Sequence, residues 1–98
     1  MAKIILNITA TAIEFSGELT RHSITQITNK SIKALFSPPS VTLDLAEITR
    51  VDTAGLAWLF YLLEQANIDD CRLSFSNIPT KLEKLIGLSG VEGFLPVE

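Results

Sequence analysis

Cysteine and histidine are almost absent from this chain, which contains one of each. The lone Cys71 excludes an internal disulfide and is typical of a reducing compartment. With His22 as the only histidine, no Cys/His pair has the spacing of a metal site, and we expect His22 to be solvated. The five glycines form neither a P-loop nor a dinucleotide-binding fingerprint. No Ser or Thr has an evident general base, so we predict no enzyme activity, no cofactor and no metal.

Basic residues and long apolar runs are also scarce. Eight Lys and Arg are scattered among 11 Asp and Glu, and the net charge of -3 argues against nucleic-acid binding. The longest run without charge, Thr53 to Leu63, has 11 residues and is too short to span a bilayer. We therefore expect a cytoplasmic protein without direct membrane insertion. Its 47% hydrophobic and 19% charged residues suggest more exposed apolar surface than a free monomer needs, which favours a protein partner.

Periodicity predicts one α/β domain over residues 1–98, with a mixed sheet of four to five strands covered by three or more helices. We expect the third and fourth predicted strands to be parallel, because a helix connects them. Thr20 is predicted to cap the first helix, and Pro79 to lie just before the last. The predicted strands are Lys3–Ile8, Ala12–Ser16, Val41–Leu45 and Cys71–Phe75, with Phe94–Val97 as a candidate edge strand and Ala46–Val51 as a loop; the predicted helices are 21–36, 53–67 and 80–88.

The turn Asp52-Thr53-Ala54-Gly55 joins a buried strand to an apolar helix. Asp52 or Thr53 is suited to cap that helix, since free N–H groups at a helix N-terminus favour such oxygens. Alternatively, Thr53 is a phosphoacceptor or an interface hydroxyl. Asp44, Glu47 and Asp52 are a weak hint of a metal or phosphate site if they converge here.

The helix that follows has two predicted faces. Helical spacing directs one set of side chains to the sheet, namely Leu56, Leu59, Phe60, Leu63 and Asn67. A second set is predicted to point outward, namely Ala54, Ala57, Trp58, Tyr61 and Gln65. An exposed Trp and Tyr are typical of a protein interface. The alternative is that a neighbouring helix or the C-terminal segment covers them.

Three segments resemble the STAS domain family, which is shared by anti-sigma-factor antagonists and sulfate transporters. They are Ser16-Gly17-Glu18-Leu19-Thr20, Val41-Thr42-Leu43-Asp44-Leu45 and Val51-Asp52-Thr53-Ala54-Gly55-Leu56-Ala57. In the antagonists the hydroxyl residue of the turn is phosphorylated and its helix docks on a kinase, and Thr53 stands at the matching position. Thr20 departs from the family pattern, which often has Asp there.

Within this family the chain is most similar to the small STAS subunits of phospholipid ABC transporters that maintain lipid asymmetry. That resemblance implies a non-enzymatic subunit that binds the transporter's cytoplasmic ATPase, and through it an inner-membrane permease complex. The implied location is cytoplasmic, peripheral to the inner membrane. The predicted contact residues are Asp52, Thr53, Ala54, Gly55, Ala57, Trp58 and Tyr61. The alternative is an anti-sigma-factor antagonist switched by phosphorylation of Thr53; a small-ligand sensor has only the generic fold in its favour.

Overall fold

A computed structural model of the chain describes residues 3–9, 12–91 and 93–97. Four strands form one sheet in the order β1-β2-β3-β4. The first pair is antiparallel and the other two pairs are parallel, which confirms the predicted mixed sheet. The strands are β1 (Ile4–Ile8), β2 (Ala12–Leu19), β3 (Ser40–Val51) and β4 (Arg72–Ser76), and the helices are α1 (Asn29–Leu35), α2 (Thr53–Ile68) and α3 (Thr80–Leu88), with a short 3-10 helix at Ile24–Gln26.

One face of the sheet is buried under the helices, and the other is largely polar. In β3, Val41, Leu43 and Leu45 are buried, while Thr42 and Asp44 between them are only half-buried. Successive side chains of a strand point to opposite faces, so this alternation separates a core face from a solvent face. The buried residues of the strands and of all three helices belong to one hydrophobic cluster.

Strand β3 is longer than its sequence pattern indicates. The predicted loop Ala46–Val51 is wrong, because β3 continues to Val51 and pairs with β2 as far as Leu19. The ladder between β2 and β3 shifts register on both sides of Gly17. Gly17 has a φ of +97°, and a Cβ there would overlap the Lys3 carbonyl. Such an irregularity breaks the two-residue alternation, so the second half of the strand cannot be recognised from its sequence.

The predicted helix at 21–36 is in fact two shorter pieces. Thr28 has an extended backbone, and its hydroxyl accepts the Ser31 N–H at 3.2 Å, so it caps α1. Thr20 is not a helix cap: it is buried, and its N–H donates to the Ser23 hydroxyl at 3.0 Å. Hydroxyl side chains that bond to nearby backbone compete with helical geometry, which explains why this Ser/Thr-rich segment breaks.

Helix α2 begins where predicted, but a different stripe of it is buried. Leu56 and Leu59 are buried as expected, whereas Asn67 is exposed. Leu62 and Ala66 are also buried, although the predicted sheet-facing set does not include them. Because α2 contacts β4, α1 and α3, its buried arc is wider than one sheet-facing stripe.

The prediction from the sequence is confirmed for the start of the last helix but not for the closing segment. Pro79 precedes α3 as predicted. The candidate edge strand at 94–97 is wrong: Val97 makes a single bridge to Phe75, whose N–H donates to the Pro96 carbonyl at 2.8 Å. Within the described ranges, no helix combines the length and apolarity needed to cross a membrane.

Candidate functional site

The site is built around Asp52, the residue between β3 and α2. Its Oδ1 accepts the Gly55 N–H at 2.9 Å, which makes Asp52, and not Thr53, the N-cap of α2. Its Oδ2 accepts the Arg21 N–H at 3.1 Å. The carboxylate therefore satisfies one free N–H of the helix and also holds the chain that leaves β2. Of the two capping alternatives, the structure selects Asp52 and leaves the Thr53 side chain exposed.

Gly55 allows the first turn of α2 to approach the end of β2. It is buried, and a Cβ at this position would overlap the carbonyl oxygen of Leu19. The Leu19 carbonyl also accepts the Asp52 N–H at 3.3 Å, so the two strand ends and the helix start are tied at one point. Gly55 is thus a positioning residue, and its predicted contact with a partner stays a prediction.

The exposed part of α2 begins at Thr53 and continues along one side of the helix. Thr53 and Ala57 are exposed, Ala54 is half-buried, and 36% of Tyr61 is exposed. The Tyr61 hydroxyl donates to Asn29 Oδ1 at 3.1 Å, so its tip is held by the start of α1. We call Thr53, Ala54, Ala57 and Tyr61 the α2 surface. Its first turn carries only small side chains, which allow another protein to approach closely.

Trp58 does not belong to this surface, and its predicted exposure is wrong. Only 8% of the residue is exposed, and its ring lies 5.6 Å from that of Phe15, at 34°. Phe15 is in β2 and is fully buried. Trp58 therefore fills the core between α2 and an inner strand, where an aromatic pair adds to the stability from burial. The ring contact is with a strand of the sheet, and not with the neighbouring helix or C-terminal segment that the alternative explanation named.

A shallow groove of about 560 Å³ lies beside Thr53, where the carboxyl ends of two parallel strands meet. It contains Arg21, His22 and Arg50, which we did not single out as site residues. The Arg21 Nε donates to His22 Nε2 at 3.3 Å, and Arg50 is the register partner of Glu18. The full lining is Glu18, Thr20, Arg21, His22, Arg50, Val51, Asp52, Thr53 and Ala54. The parallel pair predicted from the sequence was β3 with β4. The same rule applied to β2 and β3 at their full lengths, since a helix also connects them, would place Arg21 near Arg50.

The acids that were a weak hint of a metal or phosphate site do not converge at the turn. Asp44 lies within β3, and its Oδ1 accepts the Ala46 N–H at 2.9 Å and the Asn77 Nδ2 at 3.0 Å. Asp52 follows the far end of the same extended strand. In the part of the chain that the structure describes, no group of three or more potential metal ligands is found.

Comparison with protein families decides the classification. A family model described as "Mlab, STAS domain" matches residues 6–96. The chain belongs to the STAS domain family. Members of this family are typically regulatory or accessory proteins rather than enzymes. No significant match to the sequence is found among curated proteins.

Solved structures confirm the STAS fold. An anti-sigma-factor antagonist (STAS) domain protein from Planctomyces limnophilus has a TM-score of 0.70 and 12% identity, over 98% of this chain and 89% of that chain. An anti-sigma factor antagonist from Mycobacterium paratuberculosis has a TM-score of 0.72 and 18% identity, over 96% and 82%. Phosphorylated SpoIIAA of Bacillus has a TM-score of 0.66 and 16% identity, over 97% and 90%. At these identities the likeness concerns the fold alone.

Proposed function

We propose that this STAS domain is a non-enzymatic accessory subunit of a phospholipid-trafficking ABC transporter. In this role it binds the transporter's cytoplasmic ATPase and supports its activity in maintaining outer-membrane lipid asymmetry. The observation that carries the proposal is the match of residues 6–96 to the family described as "Mlab, STAS domain". The inner-membrane permease is then an indirect partner, and the protein resides at the cytoplasmic side of that membrane through its complex.

We assign ATPase binding to the α2 surface. Thr53 and Ala57 are exposed one helical turn apart, and no bulky side chain of α2 stands between them on this side. Asp52 and Gly55 contribute indirectly, because they fix the start of α2 against Leu19 and Arg21. The arrangement therefore offers a small-residue surface on a rigidly held helix end, to which another protein can dock without a large loss of side-chain entropy.

Thr53→Glu is expected to abolish this binding, because it places a charged, longer side chain at the centre of the contact. The measurement is co-purification with the transporter's ATPase, followed by titration of the two purified proteins. Thr80→Glu is the matched control: Thr80 is also exposed and is the first residue of a helix, α3. A Glu in the first turn is compatible with the helix dipole at both positions.

We expect the binding constant to weaken at least tenfold for Thr53→Glu and to stay unchanged for Thr80→Glu. Equal binding by both variants would show that Thr53 is not part of the interface. Absence of any complex with the wild-type chain would contradict the ATPase role itself. Circular dichroism of both variants verifies that a loss of binding is not a loss of folding.

An anti-sigma-factor antagonist is the second candidate function. The observation in its favour is the fold shared with such antagonists, one of them in a phosphorylated form. Thr53 is exposed at the start of a helix, where a phosphate oxygen is favoured by the free N–H groups. Phosphate transfer to Thr53 by a kinase encoded nearby, detected by mass spectrometry, would support this function in place of the first.

A further inference from the structure

Strand β1 lies at an edge of the sheet, and its hydrogen bonds to β2 show which of its backbone groups face outward. The Lys3 carbonyl accepts the Glu18 N–H at 2.8 Å, and the Thr9 N–H donates to the Ala12 carbonyl at 2.8 Å. In an antiparallel pair, hydrogen-bonded and non-hydrogen-bonded positions alternate. The odd-numbered residues of β1 therefore bond to β2, and the even-numbered residues point their N–H and C=O groups away from it.

The residues of β1 whose backbone N–H and C=O groups face outward are Ile4, Leu6 and Ile8. The Ile4 N–H is engaged by the side chain of Gln26, whose Oε1 accepts it at 3.3 Å. The Leu6 and Ile8 N–H groups, by contrast, lie on the outer edge of the strand with their carbonyls. Such a row of donors and acceptors is a template for another strand.

This edge has few of the features by which sheets usually prevent pairing. Ile4–Ile8 contains no charge and no proline. Ile5 is 50% exposed and Ile8 is 61% exposed. Beside the strand lies an apolar cavity of about 300 Å³ between β1 and α1, lined by Ile4, Leu6, Ile8, Gln26, Ile27, Ser31, Ala34 and Leu35.

We propose that β1 pairs with β1 of a second copy of this chain, antiparallel and centred on Leu6. In this register the Leu6 N–H of each copy donates to the Leu6 carbonyl of the other. The Ile8 N–H of each copy donates to the other's Ile4 carbonyl, which leaves the Gln26 contact intact. Leu6 and Ile8 of the second copy point to the helix face of the joined sheet and enter the apolar cavity.

A second copy is favoured over an unrelated strand because the edge is complementary to itself. Pairing about Leu6 brings the residues whose backbone groups face outward opposite each other along the whole strand. The Leu6 and Ile8 N–H groups then all find acceptors, and the Ile4 N–H keeps its bond to Gln26. Lys3 stands opposite Thr9 and not opposite Lys3 of the other copy, which avoids a like-charge pair. A two-fold interface of this kind also closes on itself and covers both edges at once. The inference concerns a surface other than the α2 surface and does not depend on the ATPase role.

Cysteine cross-linking tests the register directly. Ile5 and Asn7 are both exposed, and in this dimer Ile5 of one copy is opposite Asn7 of the other as a non-hydrogen-bonded pair. The Cα atoms of such a pair are about 4.5 Å apart, within the range that a disulfide spans. Ile5→Cys mixed with Asn7→Cys is expected to form a disulfide-linked dimer under mild oxidation. Either variant alone is expected to give several-fold less, and the wild type, whose Cys71 is buried, none.

The second test introduces a charge at the edge of the sheet. Ile8→Lys is expected to shift the monomer–dimer equilibrium at least tenfold toward monomer in analytical ultracentrifugation across micromolar to millimolar concentrations. Ile68→Lys is the control, because Ile68 is 64% exposed at the end of α2 and lies outside β1. Equal cross-linking in the mixture and in the single variants would overturn the proposed register. A wild-type chain that stays monomeric, together with no cross-linking in the mixture of the two cysteine variants, would overturn the proposal.

Discussion

At the scale of single residues, the start of α2 is determined by two short-range requirements. Asp52 supplies an acceptor to a helix N–H and to a loop N–H with the same carboxylate. Gly55 supplies the space in which the Leu19 carbonyl lies. Both requirements position Thr53 without involving its side chain, so the candidate contact residue is free to vary chemically while its location is held.

Substitution of the two helical glycines by alanine should have opposite effects. Gly87→Ala meets no atom within 4 Å and should raise the free energy of unfolding, by up to about 1 kcal/mol, because alanine is the better helix former. Gly55→Ala overlaps Leu19 backbone and should lower it by roughly 1–3 kcal/mol despite the same gain in propensity. Urea unfolding monitored by circular dichroism measures both values. A stabilising Gly55→Ala would show that α2 and β2 do not approach this closely.

At the scale of elements, α2 is an almost wholly apolar helix whose orientation periodicity alone does not determine. Apolar residues occupy most of its circumference, and the neighbours on three sides select which of them are buried. Trp58 goes inward to Phe15, while Tyr61, less than one turn later, stays at the surface and bonds to Asn29. The two aromatic residues that the sequence places together thus have different roles, one in the core and one at the edge of the α2 surface.

Truncation of these two aromatic residues should separate their roles. Trp58→Ala should lower the free energy of unfolding by about 3–5 kcal/mol, the range for a large core aromatic. Tyr61→Ala should cost about 1 kcal/mol, since it mainly removes one exposed hydrogen bond. Equilibrium urea unfolding compares them, and Trp58→Phe serves as a milder variant if Trp58→Ala does not fold. If Trp58→Ala and Tyr61→Ala both lower the free energy of unfolding by a similar, small amount, Trp58 lies at the surface and not in the core.

At the scale of the whole molecule, one core on one side of the sheet determines which titrating groups are withdrawn from water. Cys71 is buried where the chain passes from α2 to β4, and its N–H donates to the Ala66 carbonyl at 2.8 Å. Burial first, and the negative charge of Asp69 second, raise the pKa of the Cys71 thiol. The folded protein therefore retains this proton at pH values at which the unfolded chain has lost it.

This difference makes stability depend on pH in the alkaline range. Because the folded state binds more protons than the unfolded state above the ordinary pKa of a thiol, the Cys71 contribution to stability falls as pH rises further. It is fully present below that pKa. Urea unfolding at a series of pH values should show a steeper alkaline loss for the wild type than for Cys71→Ala. Parallel pH profiles of the two proteins would mean that Cys71 ionises equally in both states.

Local signals in the sequence determined where several helices begin and which two strands pair in parallel. The acidic cap before an apolar run located the start of α2, Pro79 located the start of α3, and a helix between two apolar strands identified the parallel pair β3 and β4. These features depend on residues within a turn or two of each other, or on a connection that few topologies satisfy. The turn that contains Thr53 can therefore be identified from the sequence alone.

Tertiary packing alone decided the rest. The burial of Trp58 requires Phe15, and the full length of β3 requires the pairing of Val51 with Leu19. The groove beside Thr53 exists because two strand ends remote in sequence meet at one edge of the sheet. Burial and pairing depend on groups that are close in space but distant in sequence. A pattern along the chain does not specify which distant residue each residue contacts.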